Sequence, residues 1–248
     1  MSPVRAAALA AAVLAGLGAP ARAAENALNA EELKVYSPTV VKGERELEWR
    51  GFSTGGHQQG FAASAGYSPT AWWAAEAYEV MHRDPGGVLL GDAVVMESLF
   101  APFAPGERWA DLGLDAEAEF PRAAADPNGV SVRPILEKQF GRALLTLNLP
   151  LEWKYGPGFT PGTNFSYAAK AQWLASPLAS PALEVYGQPG VIGRFDPLRD
   201  ETHLAGPALY GSVPAGGLGR LVYSAAALIG LTPASPRGTL AVRLELEF

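Results

Sequence analysis

The chain has 248 residues, no cysteine, and 19 basic against 25 acidic residues, for a net charge of −6. Those numbers exclude a disulfide scaffold, a zinc finger, an iron–sulfur protein and a thiol enzyme, and they argue against a general nucleic-acid binder, which carries a basic face. Charged residues make up only 18% and hydrophobic ones 48%, with 28 Gly and 21 Pro, which is too polar for a helical membrane protein and suits many turns and few long helices.

Residues 1–23 read as a secretory signal peptide. Arg5 gives a positive start, Ala6 to Leu17 an apolar stretch, and Ala21-Arg22-Ala23 a small-x-small cleavage pattern. The apolar stretch is shorter than the roughly 20 residues a spanning helix needs. A leader of this kind implies the envelope of a Gram-negative bacterium, or secretion. Residues 24–43 carry mixed charges, Tyr36 and Pro38, with no clear period. They are expected to form an N-terminal periplasmic segment, either a tail or a short plug.

From residue 44 onward the period is two. Residues 44–52 set Leu47 and Trp49 against Glu44, Glu46, Glu48 and Arg50. Weaker alternation covers 59–67, 71–82 and 88–100. The clearest case is 108–120, where Ala110, Leu112, Leu114, Ala116, Ala118 and Phe120 alternate with Asp111, Gly113, Asp115, Glu117 and Glu119. A weaker stretch at 129–140 follows. Residues 143–155 place Ala143, Leu145, Leu147, Leu149, Leu151, Trp153 and Tyr155 opposite Thr146, Asn148, Glu152 and Lys154, with Leu144 and Pro150 breaking the pattern. Residues 164–175 oppose Phe165, Tyr167, Ala169, Ala171 and Trp173 to Asn164, Ser166, Lys170 and Gln172. After weaker stretches at 181–189 and 202–213, residues 220–231 set Leu221, Tyr223, Ala225, Ala227, Ile229 and Leu231 against Arg220 and Ser224. Residues 239–248 set Leu240, Val242, Leu244, Leu246 and Phe248 against Thr239, Arg243, Glu245 and Glu247. Only a strand sorts residues this way, because successive side chains point to opposite faces, whereas a helix spreads both classes around its circumference. The reading is about twelve strands of roughly ten residues, the length with which a tilted strand crosses a bilayer. Turn sequences such as Asp84-Pro85-Gly86-Gly87, Asp126-Pro127-Asn128-Gly129 and Gly156-Pro157-Gly158 separate them. No linker divides residues 44–248, so one β-barrel domain is expected there: all-β, a single antiparallel transmembrane β-barrel.

A soluble barrel turns its apolar face inward, and a membrane barrel turns it to lipid. Trp49, Trp153 and Tyr155 at predicted strand ends, and Trp72, Trp73 and Trp109 at strand starts, fit the aromatic girdles of a membrane barrel. The abundant small Ala and Gly on the apolar faces would pack a soluble core poorly. An even strand number with both ends of the barrel on one side is the bacterial arrangement. The last ten residues, alternating up to Phe248, resemble the closing strand of bacterial outer-membrane proteins, which ends in an aromatic residue. That resemblance implies that Phe248 is an assembly signal read by the barrel-assembly machinery. Leu136-Glu137-Lys138-Gln139-Phe140-Gly141 and the closing strand make residues 44–248 similar to small outer-membrane barrels grouped as transport proteins, of which the phenol-degradation (MetA-pathway) type is one. The resemblance implies a bacterial outer-membrane, porin-like barrel and transfers no substrate.

With the apolar face outward, the charged face lines the interior. The pore-lining candidates are Glu44, Glu46, Glu48, Arg50, Asp111, Asp115, Glu117, Glu119, Glu137, Glu152, Lys154, Lys170, Arg220, Arg243, Glu245 and Glu247, joined by Arg133 and Glu184. Acids outnumber bases twelve to six in this set, which favours cations or neutral solutes if water fills the interior. The same groups could instead pair across strands and plug it, since small barrels are filled by their own side chains. Barrel closure sets Glu44, Glu46 and Glu48 across from Arg243, Glu245 and Glu247, with Arg50 or Arg220 sharing the neutralisation. The expected function is a narrow passive channel or transport component. The alternatives are a non-conducting structural or ligand-binding barrel, whose loop residues Phe195, Asp196, Arg199 and Asp200 contact a partner, and a barrel lipid hydrolase. A hydrolase needs a His beside a Ser. Of the three histidines, His57 and His82 fall at predicted loops, and His203 starts a strand on the apolar parity. No catalytic motif, metal-ligand motif or cofactor fingerprint is present, so no enzyme activity, metal or cofactor is expected. The expected partners are outer-membrane lipid, the assembly machinery and a small solute, not nucleic acid.

Overall fold

Alternating side chains along each strand, with turn residues between strands, dictate a meander in which every strand pairs with its chain neighbours. The computed structural model describes residues 33–55, 58–156, 159 and 161–248. The expected signal peptide, residues 24–32 and His57 lie outside them. The elements in chain order are β1 (Arg45–Thr54), β2 (Gln59–Tyr67), β3 (Trp73–Arg83), β4 (Leu89–Phe100), β5 (Asp111–Pro121), β6 (Asn128–Phe140), β7 (Ala143–Asn148), β8 (Leu151–Tyr155), β9 (Asn164–Trp173), β10 (Ser180–Val191), β11 (Arg194–Phe195), β12 (Thr202–Pro214), β13 (Arg220–Gly230) and β14 (Gly238–Glu247). Pro150 lacks an N–H and splits one stave into β7 and β8, both of which pair with β6 and β9. The two-residue β11 only extends a hairpin from the end of β10. Twelve staves therefore form the wall.

The wall is closed. β14 pairs antiparallel with β1 over Glu46↔Glu247 to Thr54↔Thr239. Beyond the strands, the Arg45 and Phe248 main chains exchange two hydrogen bonds of 2.9 Å. Among the described residues no stave of the wall has an open edge, which removes the row of unpaired N–H and C=O groups an edge would present. Among the described residues no helix is long and apolar enough to cross a membrane.

The side-chain parity follows the sequence pattern. On β5 the residues Leu112, Leu114 and Phe120 are exposed on the outer face, while Asp115 is fully buried. Exposed aromatic residues gather at the two rims. Tyr67, Trp72, Phe100, Trp109, Phe140 and Trp173 lie at the mouth where β1 begins, here the terminal mouth. Phe120, Trp153, Tyr155 and Phe195 lie at the distal mouth. Trp49 departs from the expectation. It sits in the middle of β1, on the outer face against Phe61, with ring centroids 6.1 Å apart.

The interior departs from the expected polar lining in one region. Phe52, Ala62, Val80, Ala93, Val95, Leu204 and Leu228 face inward and form a buried apolar cluster. On β3 and β4 both parities mix apolar and polar residues, so alternation by itself does not show which face is which. His82 lies within β3 rather than in a loop, with Nδ1 2.6 Å from Asp92 Oδ1.

Close strand approach is set at Gly206 of β12. A Cβ there would lie 2.0 Å from the Ala227 carbonyl oxygen of β13, a backbone atom that cannot swing aside. Gly206→Ala should therefore destabilise the folded barrel by about 1–3 kcal/mol, the usual cost of overpacking. Gly217→Ala, where a Cβ meets nothing within 4 Å, should not. Urea titration of the folded band by gel mobility measures both.

Candidate functional site

The lumen is organised by strand register. Partners across successive staves run Arg220, Glu247, Glu46, Gly66, Glu76, Glu97, Glu117, Ser131, Glu152 and Asn164. Strands in a closed barrel tilt against its axis, so a row at right angles to them climbs the wall. This row starts at the terminal mouth, where β13 begins, and reaches the distal mouth, where β9 begins. It forms a glutamate-rich spiral through the barrel. Gly66 makes room within it: a Cβ there would lie 2.4 Å from Glu46 Oε1.

The seam places like charges directly opposite each other, with Glu46 against Glu247, Glu48 against Glu245 and Arg50 against Arg243. Direct like-charge pairs across strands are unfavourable, and the structure offsets them with ion pairs one step along and across the seam. Arg243 binds both Glu48 and Glu245. Arg50 Nη1 binds Glu48 Oε1 at 2.8 Å. Arg220 binds Glu247 at the terminal rim. On the opposite wall Arg133 binds Asp115 and, at 2.5 Å, Glu117.

Residues 33–42 precede β1, and 33–38 run through the lumen as a strap. Lys34 Nζ is 3.2 Å from Glu48 Oε2 and 3.7 Å from Glu76 Oε2. Val35 joins the inward apolar cluster. The Tyr36 N–H donates to Asn148 Oδ1 at 2.7 Å, and Asn148 Nδ2 donates back to the Tyr36 carbonyl at 2.9 Å. The Tyr36 ring lies between Lys34 Nζ at 4.3 Å and the Arg133 guanidinium at 3.9 Å, two cation–π contacts out of bulk water. Ser37 Oγ donates to Glu137 Oε1 at 3.1 Å. Pro38 sits against Gly113, where a Cβ would lie 2.8 Å from it. Burial pulls the Lys34 ammonium down, but Glu48 and then Glu76 hold it above the ordinary lysine range, so it stays charged. The expected periplasmic segment is thus, over residues 34–38, an internal strap hydrogen-bonded to the wall. Its course is decided by polar partners on β1, β3, β6 and β7 that its own sequence does not announce.

The remaining candidates fall into place around this strap. Glu137 accepts from Thr146 Oγ1 at 2.7 Å. Lys170 lies over the Tyr210 ring at 4.3 Å, and Glu184 accepts from both Tyr186 and Tyr210. Glu44 lies at the terminal rim ahead of β1, and Asp111 there accepts from the Gly106 N–H at 2.6 Å. Glu119, Glu152 and Lys154 line a cavity of about 120 Å³ between the strap and the distal mouth, together with Glu117, Ser131 and Gln188. Glu152 and Lys154 form an ion pair of 3.2 Å across its rim. Glu76 and Glu97 belong to the lumen but escape the sequence reading, because β3 and β4 show no clean parity; the signal that identifies them is register with Glu46 and Glu117.

His203 faces outward on β12. Its ring binds Tyr167 Oη at 3.0 Å and Glu201 Oε2 at 2.5 Å. Ser235 Oγ contacts the His203 main chain, not the ring. Phe195, Arg199 and Asp200 are exposed at the distal mouth.

No protein-family model and no curated protein matches this chain.

Arg133 is the cation that the buried pair Asp115 and Glu117 shares. Arg133→Ala should lower barrel stability by about 3–5 kcal/mol, since it leaves two buried carboxylates uncompensated. Arg133→Lys should cost less. Denaturant unfolding in detergent compares the two.

Proposed function

We propose that this protein is a bacterial outer-membrane barrel that forms a narrow, cation-preferring passage for small solutes, held shut by its N-terminal strap. The observation that carries the reading is the glutamate spiral from mouth to mouth, crossed midway by Lys34 and Tyr36. A line rich in carboxylates lowers the energy of a cation along the wall and repels anions. The strap supplies a tethered cation, Lys34, that binds Glu76 of this line and Glu48 beside it. Closure therefore uses the charge selectivity of the passage: the strap competes for the sites a permeating cation would use. Within this reading the protein is a transport component, not an enzyme. Its partners are outer-membrane lipid around the exposed apolar belt, the assembly machinery at the closing strand, and a small neutral or cationic solute. Through residues 136–141 and the closing strand it resembles small outer-membrane transport barrels, of which the phenol-degradation type is one.

The filled lumen supports a second reading, a ligand-binding barrel that does not conduct. The small distal cavity, lined by both charge signs, would then be its site. Planar-bilayer recording separates the two. The full chain should give little or no steady current, and removal of residues 33–41 should give a current that reverses toward the cation potential. Lys34→Ser combined with Asn148→Ala, which loosens the strap without shortening the chain, should give intermittent openings. A silent barrel in both variants, with folding verified by heat-modifiable mobility, overturns the passage and leaves the ligand-binding reading.

Localisation is tested at the closing strand. The mature chain should fractionate with the outer membrane, and Phe248→Asp should lower its folded yield there and raise periplasmic degradation. Recovery of the wild type as a detergent-free soluble monomer overturns the outer-membrane assignment.

A further inference from the structure

Three carboxylates converge on one point of the lumen wall. Glu97, Asp115 and Glu117 each bring an oxygen within 4.8 Å of the other two. Glu97 and Glu117 are direct partners on β4 and β5, and Asp115 lies two residues from Glu117 on the same inward face. Their hydrogen bonds leave part of this oxygen set unused. Arg133 binds Asp115 Oδ2 and Glu117 Oε1. Tyr78 Oη donates to Glu117 Oε1 at 3.4 Å, and Ser131 Oγ to Glu117 Oε2 at 3.0 Å. Asp115 Oδ1 and Glu97 Oε2 are both shut off from solvent and have no partner, on residues that are 0% and 6% exposed. Across from Glu97 on β3, Glu76 also keeps a buried, unpartnered oxygen, Oε1. Leaving such oxygens without a donor or cation is costly.

The charge balance points the same way. Two lumen ion-pair clusters, Glu48, Glu76 and Glu245 with Lys34, Arg50 and Arg243, and Asp115 and Glu117 with Arg133, together hold five acids against four bases. With Glu97 beside them, the clusters together lack two positive charges. We propose that Glu97, Asp115 and Glu117 hold one divalent cation of calcium size. The donors are all carboxylate oxygens, the preference of a hard cation rather than of a thiophilic or imidazole-seeking metal. Calcium–oxygen distances of about 2.3–2.6 Å allow ligands on opposite sides of the ion to stand about 4.6–5.2 Å apart, whereas magnesium at about 2.0–2.1 Å draws them closer. A spacing of at most 4.8 Å is within the reach of calcium's ligand sphere. Glu117 also lines the distal cavity, which gives the ion its approach. The two positive charges of one such ion complete the neutralisation that Arg133 begins.

The test uses the purified full-length barrel in detergent, stripped with chelator and titrated with calcium chloride while thermal unfolding is followed. The midpoint should rise and saturate. Terbium should bind in calcium's place with luminescence sensitised by Tyr78, and calcium should displace it. Glu97→Gln should leave the metal-free barrel at least as stable as the wild type, because it removes an unpaired buried charge, while weakening the calcium response at least about tenfold. Those opposite signs separate a binding role from a general structural one. Absence of any wild-type response up to about 10 mM calcium, beyond even weak extracellular sites, overturns the proposal. So does a response that survives unchanged in both Glu97→Gln and Asp115→Asn. No current is read in this experiment, so its outcome is independent of whether the barrel conducts.

Discussion

A closed wall one residue thick is the constraint on which everything else here depends. Because β14 returns to β1, each strand has only two destinations for its side chains, the exterior and the lumen, and alternation assigns them without exception along a regular strand. The exterior takes Leu, Ala and the rim aromatics. The lumen then takes most of the charges on the strands. A lumen of this size cannot hold so many ionised groups as isolated charges, because each would pay for lost hydration. The ion-pair networks and the internal strap are consequences of that geometry.

Register turns this general pressure into a specific pattern. Had one strand slipped by a single residue, its charges would face outward. In the observed register the carboxylates of Glu46, Glu76, Glu97 and Glu117 fall in one lateral row, and like charges meet directly at the seam. Arg243 reaches Glu48 diagonally across the seam and Glu245 along its own strand, and Arg50 reaches Glu48 along β1, so each carboxylate nearest the seam's centre has a guanidinium partner. The seam is thus held by long guanidinium side chains as well as by the backbone ladder, and a lysine, with one point charge, could not bridge two carboxylates with the same fork geometry.

The strap plays the part that a hydrophobic core plays in a soluble domain, but with mixed chemistry. Val35 packs with Phe52, Val80 and Leu204, while Lys34, Tyr36 and Ser37 satisfy polar groups of the wall. Asn148 is the clearest anchor: it mimics a backbone partner for Tyr36, donating and accepting at once. A segment held in this way is specific in register, and it is built mainly of separate polar contacts rather than of one packed apolar plug.

The amino-acid sequence by itself determined the twelve-staved antiparallel wall, the outward direction of its apolar face and the inward direction of Asp115, Glu117, Glu48 and Arg243. The strands and their alternation follow from local periodicity and turn chemistry, which a single strand carries in full, and the outward direction follows from the aromatic residues near strand ends and the closing strand. Pro150 likewise marked the break between β7 and β8. What the sequence could not determine is anything that depends on which residues of different strands become neighbours. The spiral of glutamates, the convergence of Glu97 with Asp115, and the like-charge seam exist only through register, a relation between strands. Residues 33–38 have no period because their conformation is dictated by partners as distant as Glu137 and Asn148. On β3 and β4 the inward face is part apolar cluster and part acid, so local contrast vanished and only the closed wall decided which side was in.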